Sequence, residues 1–209
     1  MSVVCLTLTL VMAACGGDAA QQSKDFDAEP SEGGANVKKG VKPEPDQEIA
    51  VIDTDYGRIV VELYPNLAPQ QVERFKKLAA EGFYNGTRIH RIDPQLGIIQ
   101  GGDQNSKDSN PFNDGTGKSP YPDLPAEFSD VPYERGILGA ARGAAENTAN
   151  SQFFITLKSQ PAFNNRYTVF GKVIEGISNA DVIAGAPVRE GTDKPADAAT
   201  VKSVTLQKR

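Results

Sequence analysis

Hydrophobic and polar positions along residues 49–209 change period several times, and each change marks an element. Ile49–Thr54 alternates and is rich in Ile and Val. Asp55-Tyr56-Gly57 has turn chemistry and Arg58–Leu63 alternates again, so the two runs predict a hairpin. Pro69 opens a stretch of helical period, at a position where its missing N–H is not needed. Val72, Phe75, Leu78 and Ala79 share one face there, and Gly82 ends it. After the turn Tyr84-Asn85-Gly86-Thr87, the runs Arg88–Ile92 and Gly97–Gln100 read as strands, interrupted at Asp93-Pro94. Residues 101–127 are polar and too broken by Gly and Pro for a regular element. Gly136–Ala141, Gln152–Leu157 and Thr168–Val173 read as buried strands, 177–184 as a short helix, and Ala199–Gln207 as a last alternating strand. The expectation is an all-β domain: a closed eight-stranded antiparallel β-barrel capped by two α-helices, since closure removes exposed strand edges.

The first fifteen residues follow a different pattern. Val3–Ala14 is apolar or Thr, uncharged, and ends in small residues. That run is too short to span a bilayer and the right size for the core of a signal peptide. Its ending, Met12-Ala13-Ala14-Cys15, resembles a bacterial lipobox, with Met12 where Leu is usual. The resemblance implies that Cys15 becomes the lipidated first residue and anchors the chain to a membrane. The expected place is the bacterial cell envelope, facing the extracytoplasmic side. Cys5 would leave with the signal, so the folded domain would hold no thiol.

Residues 16–48 carry eight acidic residues and four lysines, three Pro and two Gly-Gly pairs, with no apolar period. Such a segment cannot bury enough surface to order itself and reads as a disordered acidic tether, reaching roughly 30 Å from its anchor. It holds most of the chain's net charge of −5. The domain beyond it is electrically bland, so function must lie in particular residues. With no basic excess, nucleic acid is not expected as a partner. One His and two Cys in 209 residues cannot complete a histidine or thiolate metal site, and no metal or cofactor is expected. Asp114-Gly115-Thr116-Gly117-Lys118-Ser119 looks like the end of a phosphate-binding loop, but Phe112 stands where the earlier Gly is required. Ser151 lacks the glycines of a nucleophile elbow, and His90 reads as a hydrogen-bonded barrel residue.

Between 82 and 173 the chain carries a series of blocks in one order. They are Gly82-Phe83-Tyr84-Asn85-Gly86-Thr87, Ile89-His90-Arg91-Ile92, Ile99-Gln100-Gly101-Gly102-Asp103, and Gly115-Thr116-Gly117. Gly136-Ile137-Leu138, Ala141-Arg142, Asn147, Ser151-Gln152-Phe153-Phe154-Ile155, and Tyr167-Thr168-Val169-Phe170-Gly171-Lys172-Val173 follow. In these blocks the chain resembles the cyclophilin family of peptidyl-prolyl cis-trans isomerases. The resemblance implies a monomer acting on proline-containing unfolded or partly folded polypeptides. The alternative is a module or chaperone that holds proline segments with little turnover.

The reaction fits such a chain. Resonance gives a prolyl amide a rotation barrier of about 18–20 kcal/mol. At the twisted midpoint resonance is lost and the nitrogen regains a lone pair, so a cationic donor aimed at it binds the twisted form best. No nucleophile, metal or titrating base is needed. By resemblance Arg91 is the catalytic guanidinium, Gln100 holds it and touches substrate, and Phe154 floors the proline pocket. Leu96, Ile98, Gln152, Phe163 and Tyr167 line the substrate site, and Ala141 and Arg142 lie along the substrate backbone. Phe153 and Phe170 are read as core. Three departures stand out: one extra residue between Arg91 and Gln100 with no Phe in that stretch, Ala162 where many members have the Trp that helps hold cyclosporin-class ligands, and Gly143 where Ala is frequent.

Overall fold

A computed structural model describes residues 36–209. The signal segment 1–15 with Cys15, and the tether as far as residue 35, lie outside the described residues.

The hairpin forms as expected: β1 (Glu48–Thr54) and β2 (Gly57–Leu63) pair antiparallel, Ile49 opposite Glu62 and Thr54 opposite Gly57. Helix α1 (Pro69–Ala80) starts at its proline and buries Val72, Phe75, Leu78 and Ala79, together with Gln71. Its N-terminus has no local side-chain cap. The carboxylate of Glu127 instead accepts the N–H groups of Gln70 (3.1 Å) and Gln71 (3.0 Å). An anion there satisfies the two N–H groups that follow Pro69, which has none, and complements the helix dipole. Strands β3 (Arg91–Asp93), β4 (Ile98–Gly101), β5 (Ile137–Ala140), β6 (Phe153–Thr156), β7 (Val169–Glu175) and β8 (Val201–Lys208) follow, with α2 (Ile177–Ala184) between β7 and β8.

The eight strands form one antiparallel sheet in the order β3-β4-β6-β5-β7-β2-β1-β8. The sheet is a curled half-barrel, which corrects the expected closed barrel. Its two edge strands, β3 and β8, do not pair with each other among the described residues. The chain entering β3 meets the chain entering β8 through a few main-chain bonds, including Gly86 N–H to Val201 O (2.8 Å) and Ile89 N–H to Ala199 O (2.9 Å), around a single bridge between Arg88 and Thr200. The reason is length: the run expected as Arg88–Ile92 gives only Arg91 and Ile92 to β3, because 86–89 bond to 199–201 at the entry to β8.

Alternation along each strand sends neighbouring residues to opposite faces. Ile99, Leu138, Phe153, Ile155 and Phe170 join Phe75 and Tyr84 in the main core inside the curl. Ile98, Ile137, Phe154 and Val169 face the other way, into a second cluster with Tyr133, Phe163 and Tyr167. Phe153 and Phe170 are core, as read from the sequence.

Residues 36–47, which composition assigns to the tether, run along the domain. Lys38 bridges Ser129, and its ammonium donates to the carbonyls of Leu67 (2.7 Å) and Asn66 (3.1 Å). Asp46 N–H bonds to Leu63 O (2.8 Å), and its carboxylate meets Lys76 (2.9 Å). These partners come from the domain, so a segment without a core of its own is pinned from outside.

Candidate active site

The antiparallel register builds the site. Arg91 on β3 lies opposite Gln100 on β4, Gln100 opposite Phe154 on β6, and Phe154 opposite Gly139 on β5. Directly opposed residues point to the same face, so guanidinium, amide and phenyl ring form one row across three strands. Asp93 pairs with Ile98, leaving a four-residue turn at 94–97 that absorbs the extra residue without a register slip. The Asp93 carboxylate accepts the N–H of Leu96 (2.8 Å) within that turn. Gly97 adopts φ +62°, and a Cβ there would lie 2.6 Å from the Lys158 side chain.

A chain of oriented amides runs into the row from the 103–117 loop. Gln152 Nε2 donates to the carbonyls of Gly115 (3.0 Å) and Gly117 (2.9 Å). Its Oε1 accepts from Gln100 Nε2 at 3.0 Å, and Gln100 Oε1 faces Arg91 Nη1 at 3.5 Å. The loop itself hangs on Asp103, whose carboxylate accepts the N–H groups of Asn105 (2.8 Å) and Gly115.

Arg91 is 8% exposed. Its Nη2 lies 3.1 Å from Asp93, and its Nε donates to the carboxylate of Asp193, from the 185–200 excursion between α2 and β8. Neither aspartate was singled out as a site residue from the sequence. A strand neighbour two residues along shares a face, which would have flagged Asp93; nothing local flags Asp193.

The apolar part is an aromatic cluster. Tyr133 stacks on Phe154 at 5.8 Å and 21°, while Phe163 (5.6 Å) and Tyr167 (5.7 Å) meet it edge-on. Edge-to-face and offset stacks of this kind add about 0.5–1.5 kcal/mol each beyond area burial. Phe154 exposes no surface, and Ile98, Ala141, Phe163 and Tyr167 are also buried. The part of the cluster left toward solvent is Leu96 with Val131. Tyr133 and Gly139 were missed from sequence. Glycine inside an otherwise apolar strand is a signal for close approach, and a Cβ on Gly139 would fall 2.3 Å from Phe154 Cζ. Arg142 is committed elsewhere: its guanidinium donates to the carbonyls of Arg166, Gly143 and Ala144 and lies 4.8 Å over the Tyr167 ring.

His90, just ahead of β3, is buried on the core side, next to the Arg88 main chain. Burial lowers its pKa to about 4, against the opposing pull of the Asp103 carboxylate. It takes no part in the row.

A buried cation, two amides and an aromatic cluster thus lie along one face of the half-barrel. Residues 49–206 match the sequence profile described as cyclophilin type peptidyl-prolyl cis-trans isomerase/CLD, and the chain belongs to that family. A probable peptidyl-prolyl cis-trans isomerase of Brucella suis is 44% identical over 146 residues, covering 68% of this chain and 74% of that protein. The peptidyl-prolyl cis-trans isomerase-like 3 of Gallus gallus is 35% identical over 161 residues, covering 74% and 93%. Among solved structures, a Cryptosporidium parvum cyclophilin type peptidyl-prolyl cis-trans isomerase, crystallised in the presence of the dipeptide Ala-Pro, superposes with a TM-score of 0.68 at 31% identity. It covers 77% of this chain and 99% of its own.

Proposed function

We propose that this isomerase accelerates rotation about X–Pro bonds by offering the Arg91 guanidinium to the amide at its twisted midpoint, beside the apolar cluster around Phe154. The observation that carries the reading is the single register row joining Arg91, Gln100 and Phe154. Nε and Nη2 form one edge of the guanidinium, and that edge is taken by Asp193 and Asp93. Nη1 is turned along the row toward Gln100. A donor fixed in this way needs no reorganisation when the amide nitrogen gains its lone pair, so it favours the twisted form over both planar ones. The proline ring meets the cluster at its solvent-facing members, Leu96 and Val131, and Gln152 holds Gln100 in place beside it.

The test is a proline-limited refolding reaction, which takes tens to hundreds of seconds uncatalysed. The full chain is expected to accelerate it at catalytic concentration. Arg91→Ala should lower kcat/KM by about 100-fold, as removal of one preorganised donor does; a parental rate in that variant would remove Arg91 from the chemistry. A second reading, a module that holds proline segments without turnover, draws on the full burial of Phe154. Peptide binding with no acceleration would favour it.

The reading extends to location. The sequence Met12-Ala13-Ala14-Cys15 supports lipidation at Cys15 and attachment to a bacterial envelope membrane, with exported polypeptides as clients. Cys15→Ser should move the protein from the membrane fraction to the soluble one; an unchanged distribution would refute the anchor.

A further inference from the structure

Arg91 stands on the edge strand of the sheet, and that strand is three residues long. A long side chain there has rotamer freedom worth about 2 kcal/mol to lose before it acts as a fixed donor. Gln100, at 3.5 Å, is at the limit of hydrogen-bonding range and holds it weakly. Asp93 rides on the same short strand and moves with it. Asp193 anchors Arg91 from elsewhere in the fold.

Two main-chain and side-chain systems place Asp193. Its carbonyl accepts the N–H of Ile92 at 2.8 Å, so residue 193 covers the outer edge of β3 one position from Arg91. The next residue, Lys194, donates its ammonium to the carbonyls of Pro111 (2.6 Å) and Asp114 (3.3 Å). That ties the excursion to the 103–117 loop, the same loop that starts the amide chain through Gly115 and Gly117. The excursion is also bonded to itself: Arg189 N–H to Lys194 O and Ala196 N–H to Pro187 O are both 2.8 Å, around a bridge between Val188 and Pro195. The carboxylate is thus delivered by a built loop. Its side chain is 24% exposed, against 10% for Arg91.

We infer that Asp193 is a positioning residue for Arg91: by accepting from Nε it fixes the guanidinium plane and turns Nη1 along the row toward Gln100 and the proline cluster. The inference rests on the isomerase reading above. Asp193 touches neither substrate nor the rotating bond. Two aspartates beside one arginine leave the trio with a net charge of −1, which weakens the cation's field. The carboxylate is therefore useful for geometry and works against charge, and this sets the sign of the test. An asparagine keeps an acceptor for Nε and removes the charge; an alanine removes both.

The experiment uses the full chain with a short Ala-Pro peptide, measuring kcat and KM by exchange NMR, peptide Kd separately, and the Nε–H resonance of Arg91. Asp193→Ala should lower kcat by about 10- to 100-fold, the range expected when a reacting group shifts by up to 1 Å. KM and Kd should stay within about twofold, and the Nε–H signal should leave its hydrogen-bonded position. Asp193→Asn should restore most of the rate. A kcat within twofold of the parent in the alanine variant would overturn the inference. So would an asparagine variant as slow as the alanine one, which would place the effect in charge. Should Asp193→Ala fail to fold, Lys194→Met loosens the excursion while leaving the aspartate, and a shifted Nε–H signal with parental kcat would equally overturn it. Arg91→Ala runs alongside: a parental rate there sinks the isomerase role of Arg91 itself, whereas a slow Arg91→Ala with a fast Asp193→Ala sinks only the positioning role.

Discussion

Gly139→Ala probes what holds the proline cluster in place. Gly139 lies on β5, opposite Phe154 on one side and Val169 on the other. Its φ is not in the left-handed region, so alanine meets no backbone penalty, and the effect must come from contact. The added methyl would sit 2.3 Å from Phe154 Cζ and 2.8 Å from Cε1 and Cε2. Ordinary carbon contacts begin near 3.4 Å, so the ring must withdraw by roughly 1 Å. It has little room, with Tyr133 stacked on it and Phe163 and Tyr167 against its edges. Both neighbouring strands are paired on both sides, so the backbone cannot yield instead. Overpacking of this kind costs about 1–3 kcal/mol, offset in part by the 0.4–1 kcal/mol gained on replacing glycine in the unfolded chain. At about 2–4 °C per kcal/mol for a domain of this size, Tm should fall by up to roughly 10 °C. The peptide kcat/KM should fall by about tenfold or more, because the apolar surface beside Arg91 has moved. Thermal unfolding and exchange NMR on the full-length variant measure the two effects. Gly143→Ala is the control, since its Cβ would meet only Thr148 Oγ1, at 3.3 Å. A Gly139→Ala protein with parental Tm and parental kcat/KM would refute the claim that this glycine makes room for the ring.

Two further outcomes follow from buried groups outside the row. His90 titrates near 4 when folded and near its ordinary 6.5 when unfolded, so between those values the unfolded chain holds more protons. Its contribution to stability is complete above about pH 6.5 and is lost as pH falls toward 4, with a slope of at most about 1.4 kcal/mol per pH unit. Urea midpoints across that window should therefore fall less steeply in His90→Leu than in the parent; parallel curves would count against the shift. Glu127→Ala should cost about 1–3 kcal/mol by leaving two N–H groups at the start of α1 without their acceptor, with Glu127→Gln intermediate; an unchanged urea midpoint in the alanine variant would show that the cap contributes nothing.

The site residues were legible through the ordered blocks that resemble the cyclophilin family, and the strand register shows why they meet. Once the runs 91–93 and 98–101 are antiparallel with Asp93 opposite Ile98, Arg91 must face Gln100 whatever lies beyond, and period-two alternation separates Phe153 from Phe154. The helix at Pro69, its buried face and the first hairpin were likewise local: proline placement, turn chemistry and apolar spacing act over a few residues. The resemblance also implied chemistry that uses a cation beside an apolar surface rather than a nucleophile or a metal.

Other features depended on which distant segments come to rest together. Glu127 caps a helix 56 residues away, and Asp193 grips an arginine 102 residues away; neither spacing follows any local period. Whether the barrel closes was settled at a seam where residues 86–89 bond to 199–201 at the entry to β8, leaving β3 too short to pair with it. The polar stretch 36–47 looked unable to order itself, and by itself it cannot; carbonyls of Leu63, Asn66 and Leu67 hold it. Local sequence sets strand, helix and register because those energies are short-ranged. The partners of a charge, a helix end or an exposed edge are chosen by packing, and only the assembled fold brings them within reach.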